Sequence, residues 1–309
     1  MTDNVKNTII TMMILGTLGF ILKKSRVMDK RTDKFLSQLL VNICTPAVMI
    51  YINLTNFSIA TFRNSYRSIL IAILTMIFMN VIAYGVSKAL SLKGMEQGEF
   101  ISMATFSNTI FVGLPLITGI FGEKAVPYLM LYFIGNTLTF WTLGIYQLVK
   151  SSGRAFSSKN LLKIINPPIV GFAVGIALLY YNVSLPTYAM DSIYYLRILM
   201  TPLSLLFMGS VIGDLKMSSV GSPVTTVLIL LMRFVLAPIS CLLLLKAFNM
   251  PEDLTKVFIV CAGLPVMTNI SIAVGKYGGN PSYSSFMTAL TSIAFIFVMP
   301  FYFELFAFI

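Results

Sequence analysis

Histidine is absent from this chain of 309 residues, tryptophan occurs once, cysteine three times, and only 11% of the residues are charged. Without histidine there is no Ser-His or Cys-His pair to activate a nucleophile, and no imidazole to relay a proton or hold a metal. Cys44, Cys241 and Cys261 lie in apolar stretches without ligand spacing. They read as buried thiols rather than a disulfide framework or a metal site. The acids are Asp3, Asp29, Asp33, Glu96, Glu99, Glu123, Asp191, Asp214, Glu252, Asp253 and Glu304. All are expected in loops or near helix ends. A proton-coupled carrier or an intramembrane aspartyl protease needs carboxylates inside the bilayer. Asp214 is the one acid near such a place and has no partner, while Glu99 is a helix-end acid that a fold can draw inward. No cofactor and no metal are called for.

What fills the chain instead is apolar. Hydrophobic residues make up 57% of it, and the mean hydropathy is +0.87. A bilayer core takes about 20 apolar residues per helix, and such stretches recur from end to end. The expected fold is an all-α integral membrane protein, one membrane domain with ten transmembrane helices near 8–22, 34–54, 67–89, 99–120, 125–149, 161–181, 192–213, 223–246, 254–275 and 283–304. The first run is read as a retained helix rather than a cleaved signal, because it leads into a basic loop without a small-residue cleavage site. The net charge of +11 comes from short loops between apolar runs, which points to membrane orientation and not to nucleic acid. The loops after helices 1 and 5 carry Lys23, Lys24, Arg26, Lys30, Arg31 and Lys34, then Lys150, Arg154, Lys159 and Lys163. Lys88, Lys93, Lys216 and Lys276 join that side. Lys6, Arg63, Arg67, Lys124, Arg197, Lys246 and Lys256 fall on the other. The richer side is expected to be cytoplasmic, so both termini face outward from the plasma membrane.

Two interruptions recur. Gly113-Leu114-Pro115 breaks one apolar run and Gly263-Leu264-Pro265 another; upstream in each half stand Thr45-Pro46 and Thr201-Pro202. Proline removes a backbone donor and clashes with the preceding turn. Pro46 and Pro202 therefore mark breaks in the scaffold helices 2 and 7, and the two tripeptides mark breaks in helices 4 and 9. Five helices per half place the second half upside down. The expected organisation is two inverted repeats, 1–152 and 153–309, and paired breaks of this kind point to a transport site between repeats.

The run Ala104-Thr-Phe-Ser-Asn108-Thr-Ile-Phe-Val-Gly113-Leu-Pro115-Leu, then Phe121-Gly122, resembles helix 4 of the auxin efflux carrier family. Ala262-Gly-Leu-Pro265 with Gly275-Lys-Tyr-Gly-Gly279 resembles its helix 9, and Thr201-Pro-Leu-Ser-Leu-Leu-Phe-Met-Gly209 its helix 7. The short central loop is closer to bacterial members than to plant carriers. The resemblance implies a secondary carrier of small organic anions, such as malate, malonate or auxin-like acids. It also implies crossing helices 4 and 9, a scaffold of helices 1, 2, 6 and 7, and a homodimer. By position, Asn108, Gly113 and Pro115 match the first crossover and Pro265 the second.

Physical chemistry supplies a reason for such a site. A helix break frees backbone N–H groups, and a half-helix N-terminus carries about +0.5 of a charge. Two such ends bind a carboxylate without a buried Lys or Arg. The candidate substrate-binding residues are Asn108, Thr109, Gly113, Pro115, Gly263, Pro265, Thr268 and Asn269, with Ser271 nearby. Asn42, Asn80 and Asn136 can equally be interhelical glue, the preferred reading for Asn80. For Arg233, inside helix 8, two readings are open: snorkelling to an interface, or pairing with substrate or a helix end. Uniport or anion exchange fits the missing intramembrane acids. Sodium held by backbone carbonyls remains an alternative, as in a symporter of the bile-acid transporter type, and so does a membrane sensor without flux.

Overall fold

The structure, a computed structural model, describes residues 3–57, 65–157, 162, 164–215 and 221–306. Arg63, Lys159, Lys163 and Lys216, used in counting loop charge, lie outside these. The regular elements among the described residues are helices: α1 (Asp3–Lys24), α2 (Lys30–Leu39), α3 (Thr45–Thr55), α4 (Tyr66–Ala89), α5 (Gly94–Thr105), α6 (Leu114–Phe121), α7 (Val126–Thr139), α8 (Ile145–Ser151), α9 (Pro167–Tyr180), α10 (Thr187–Ile198), α11 (Met200–Gly213), α12 (Pro223–Leu231), α13 (Ala237–Ala247), α14 (Glu252–Ala262), α15 (Asn269–Tyr277) and α16 (Pro281–Leu305). Four π-helical turns, Leu40–Cys44, Thr109–Gly113, Phe140–Gly144 and Met232–Leu236, join or extend them.

Among the described residues, 7 helices are long and apolar enough to cross a membrane. Two shorter apolar helices, Thr109–Phe121 and Pro167–Tyr180, accompany them. The expected helices 4 and 9 are each built from half-helices, too short singly to span about 30 Å at 1.5 Å per residue. Large apolar side chains such as Ile14, Val81, Phe297 and Phe301 point outward and exposed, as they do on a chain solvated by lipid.

Three prolines share one local solution. Pro46, Pro115 and Pro238 each stand in the first turn of an α-helix that directly follows a π turn. A π turn widens the helix and absorbs the carbonyl that a proline ring would otherwise strike. Thr45 Oγ1 accordingly donates to Leu40 O at 2.7 Å. Pro46 is therefore a correction to the expectation: the helix is bulged there and not broken. Near Pro202 the interruption is one residue, Leu199, which keeps right-handed helical geometry between α10 and α11 and leaves Pro202 in the first turn of α11; the two helices form one span, Thr187–Gly213.

The helices sort into two packed groups. In one, α1 lies along α11, and α3 packs on α9 and α10. In the other, α4 packs on α5, α7 and α13, α13 on α14, and α15 on α16. The first group contains the helices that the family resemblance names as scaffold. Within it α1 and α11 touch backbone to backbone: a Cβ on Gly209 would sit 1.9 Å from Gly16 O, and one on Gly19 2.1 Å from Leu206 O. At one end Lys23 pairs with Asp33 and, at 2.9 Å, with Asp214, joining α1, α2 and α11. At the other end Arg197 pairs with Glu123 and stacks over Tyr51. In the loop before α2, Asp29 accepts from Thr32 N at 2.8 Å, and this backbone donor holds its carboxyl below the ordinary range.

Candidate functional site

The chain unwinds at Phe106–Asn108 after α5 and again between Gly263 and Thr268 after α14. The two unwound pieces lie antiparallel and pair through one bridge, Ser107 with Val266. Asn108 N donates to Pro265 O at 2.9 Å, and Met267 N to Phe106 O at 3.1 Å. The broken helices thus cross at their breaks and satisfy part of each other's exposed backbone, as non-helical backbone at membrane depth must.

The position of the first break corrects the expectation. It lies at 106–108, upstream of Gly113-Leu114-Pro115, which instead closes a π turn and opens α6. Gly263-Leu264-Pro265 lies within the second break itself. The two identical tripeptides therefore do not occupy corresponding places relative to the crossing. Gly113 serves close packing, since a Cβ there would meet Leu264 Cδ1 at 2.7 Å, and Gly263 serves it likewise against Tyr302.

On one side of the crossing is a cavity of about 70 Å³, room for more than one water. Asn108, Thr109, Thr268 and Asn269 line it, joined by Thr45, Ser107, Thr137 and Asn166 and by the apolar faces of Phe111, Phe133 and Trp141. No lining residue carries a formal charge. Asn108 Nδ2 donates to Thr268 Oγ1 at 2.9 Å, tying the two breaks together inside the cavity. Asn108 and Thr268 precede the helical segments beginning at Thr109 and Asn269, so two helix N-termini face this space. Asn166, which caps α9 by accepting from Ile169 N at 3.2 Å, brings a third. Gly113, Pro115, Gly263 and Pro265 are not among the lining residues; Pro115 borders a separate cleft with Thr118 and Thr201. Ser271 bonds its own turn, to Thr268 O at 2.8 Å.

Sequence reasoning had not singled out Thr137. Its hydroxyl is buried without a hydrogen-bond partner among the described residues, yet it lines the cavity. Asn136, left open above, holds the crossing: Ser107 N donates to its Oδ1 at 3.1 Å, and its Nδ2 donates to Ser107 O at 3.0 Å. Neighbouring polar residues within the apolar run of α7 were the available signal. Asn80 pairs with Gln147 as interhelical glue, and Asn42 is exposed. Glu99 is drawn inward, as its place allowed, where it accepts from Asn280 N at 2.6 Å and fixes the start of α16 away from the cavity.

Arg233 turns away from any interface. It is fully buried on the π turn after α12 and binds the far side of the crossing. Its nitrogens donate to Leu264 O, to Thr105 O at 2.8 Å, to Ala262 O at 2.8 Å and to Ser107 Oγ at 2.7 Å. These carbonyls close α5 and α14, so the cation sits where two helix dipoles are negative.

Broken helices crossing inside an apolar helical body define a membrane carrier's architecture, and comparison agrees. The family described as "Membrane transport protein" matches residues 5–303, so the chain belongs to it, the auxin efflux carrier family anticipated above. It is 22% identical over 268 residues to an uncharacterized transporter of Methanocaldococcus jannaschii, covering 84% of this chain and 85% of that one. It is 26% identical over 172 residues to an uncharacterized transporter of Methanothermobacter thermautotrophicus, covering 55% of each.

Proposed function

We propose that this protein is a secondary carrier that moves small organic anions across the plasma membrane by alternating access, as a uniporter or exchanger. The observation that carries this reading is the uncharged cavity at the crossing, faced by helix N-termini, the Asn108 amide and the orphan hydroxyl of Thr137. N-terminal helix ends favour anions. Hydroxyl and amide donors fix a carboxylate's orientation, and no lining carboxylate repels it. An acid larger than the cavity enters as the two helix groups separate. The two halves, 1–152 and 153–309, act as inverted repeats about the crossing, with both termini outside and two copies associating through the scaffold. Driven by a negative-inside potential, each exported charge gains about 2.3 kcal/mol per 100 mV.

The test uses the chain's single tryptophan. Trp141 lines the cavity, so ligand entry perturbs its fluorescence without any labelling. Purified protein is titrated with mono-, di- and aromatic carboxylates while fluorescence and thermal midpoint are followed together. A binding acid shifts both with one saturation curve, since native-state ligands stabilise as ln(1 + [L]/Kd). A panel in which organic cations shift both signals and no carboxylate does would overturn the anion assignment.

A further inference from the structure

The crossing has two chemically opposite sides. Helix N-termini meet the cavity on one. On the other, the carbonyls of Thr105, Ala262 and Leu264 and the hydroxyl of Ser107 surround one space, which is filled by the guanidinium of Arg233. Unwound carbonyls and C-terminal half-helix ends are the ligand set with which broken membrane helices coordinate a coupling ion such as sodium. Arg233 is 0% exposed, and no Asp or Glu among the described residues pairs with it. Its charge is answered by neutral oxygens, as that of a bound alkali ion is. Burying a lone cation is expensive, and a residue needed only for packing would not carry one.

We propose that Arg233 is a tethered counter-cation of the crossing: it fills the place a mobile coupling ion would take, so transport by this chain requires no sodium. This rests on the crossing being the transport site, but the role of the arginine is read out without any organic acid. Arg233 acts as a positioning residue. It holds the C-terminal ends of α5 and α14 together behind the cavity, and being part of the chain it is never released.

The experiment measures thermal unfolding of the purified full-length protein in sodium chloride and in choline chloride at equal ionic strength, with no carboxylate present. The wild type is expected to unfold at the same temperature in both. Arg233→Ala leaves a guanidinium-sized hole among the same oxygens. Its midpoint is expected to be lower in choline and to recover, saturably and by roughly 3–5 °C, with millimolar methylguanidinium or sodium. Arg233→Lys keeps a cation and is expected to hold a midpoint above that of Arg233→Met in choline. A saturable sodium response in the wild type overturns the proposal, because a coupling ion then has another site. So does an Arg233→Ala protein that unfolds identically in every salt, because the carbonyl cage then has no affinity for cations. If neither Arg233→Ala nor Arg233→Met can be purified, the wild-type sodium comparison decides alone. Failure of the anion reading shows only in the carboxylate titration and leaves these cation responses unchanged.

Discussion

Asn108 and Thr268 come from opposite halves of the chain, and the Asn108 amide donates to the Thr268 hydroxyl at 2.9 Å within the cavity. In an empty site this bond contributes little, since interhelical side-chain bonds average about 0.6 kcal/mol. A hydrogen bond to a charged group is worth about 1.5–3 kcal/mol, so the same amide matters far more once a carboxylate is present. Asn108→Ala is expected to leave expression and the unliganded midpoint close to wild type while anion affinity falls about 10- to 100-fold. Asn108→Asp places a like charge in the site and lowers affinity further. Carboxylate flux into liposomes and the Trp141 titration check both, and full transport by Asn108→Ala removes the residue from the site.

Asn136 and Asn80 should separate under the same substitution. Asn136 satisfies both the N–H and the C=O of Ser107 in the unwound segment. Its loss leaves the buried Ser107 N–H unpaired, at about 1–3 kcal/mol, and takes one of two donors from Ser107 O, which Thr109 N still reaches at 3.0 Å. Asn80 pairs with the side chain of Gln147, and Gln147, being only partly buried, can turn away. Asn136→Ala is therefore expected to lower the thermal midpoint by several times the effect of Asn80→Ala. Equal effects would place Asn136 among ordinary interhelical contacts.

Helices and their approximate ends were legible because apolar runs of bilayer length admit few other folds; α4 was expected at 67–89 and runs Tyr66–Ala89. Asn108 was singled out because an amide stood seven residues ahead of Pro115, whereas the chain unwinds at Asn108 itself. The contents of the breaks were not legible. A Gly-Leu-Pro reads identically whether it opens a half-helix, as at Pro115, or lies in the unwound piece, as at Pro265. A π turn ahead of a proline leaves no composition signal of its own. Arg233 could not be assigned because its partners, Thr105 and Ala262, are distant in sequence and are backbone carbonyls, which every residue possesses. Thr137 was missed because a hydroxyl on a membrane helix ordinarily bonds its own preceding turn, as Thr139 does to Gly135 O, and only the fold shows that this one does not.

The contact between α1 and α11 predicts a sharp asymmetry among glycines. In lipid, helices gain no hydrophobic drive to associate, so small residues that admit backbone contact carry the interface. A Cβ on Gly209 would lie 1.9 Å from Gly16 O, a distance only helix separation can relieve, whereas Gly85 on α4 has no atoms within 4 Å of that position. Gly209→Ala is expected to reduce the monodisperse folded fraction on size-exclusion chromatography severalfold, and Gly85→Ala to leave it unchanged. A well-folded Gly209→Ala protein would mean that α1 and α11 sit further apart.

Membrane orientation can be read with little background, because Cys44, Cys241 and Cys261 are all buried. Arg154 follows α8 and Lys276 lies in the last turn of α15, and the Arg154 side chain reaches toward Lys276 O at 3.5 Å, so both lie on one face. Both were assigned to the basic-rich side, which is expected to face the cytoplasm. Lys124, beside the Arg197–Glu123 pair, was assigned to the other. Single substitutions Arg154→Cys and Lys276→Cys are expected to react with a membrane-impermeant maleimide only after the cells are opened, and Lys124→Cys in intact cells. Reaction of Arg154→Cys in intact cells would turn the protein over in the membrane. It would also move Lys23, Asp33 and Asp214 to the outer surface if their cluster shares that face, which labelling at Asp214→Cys reads independently.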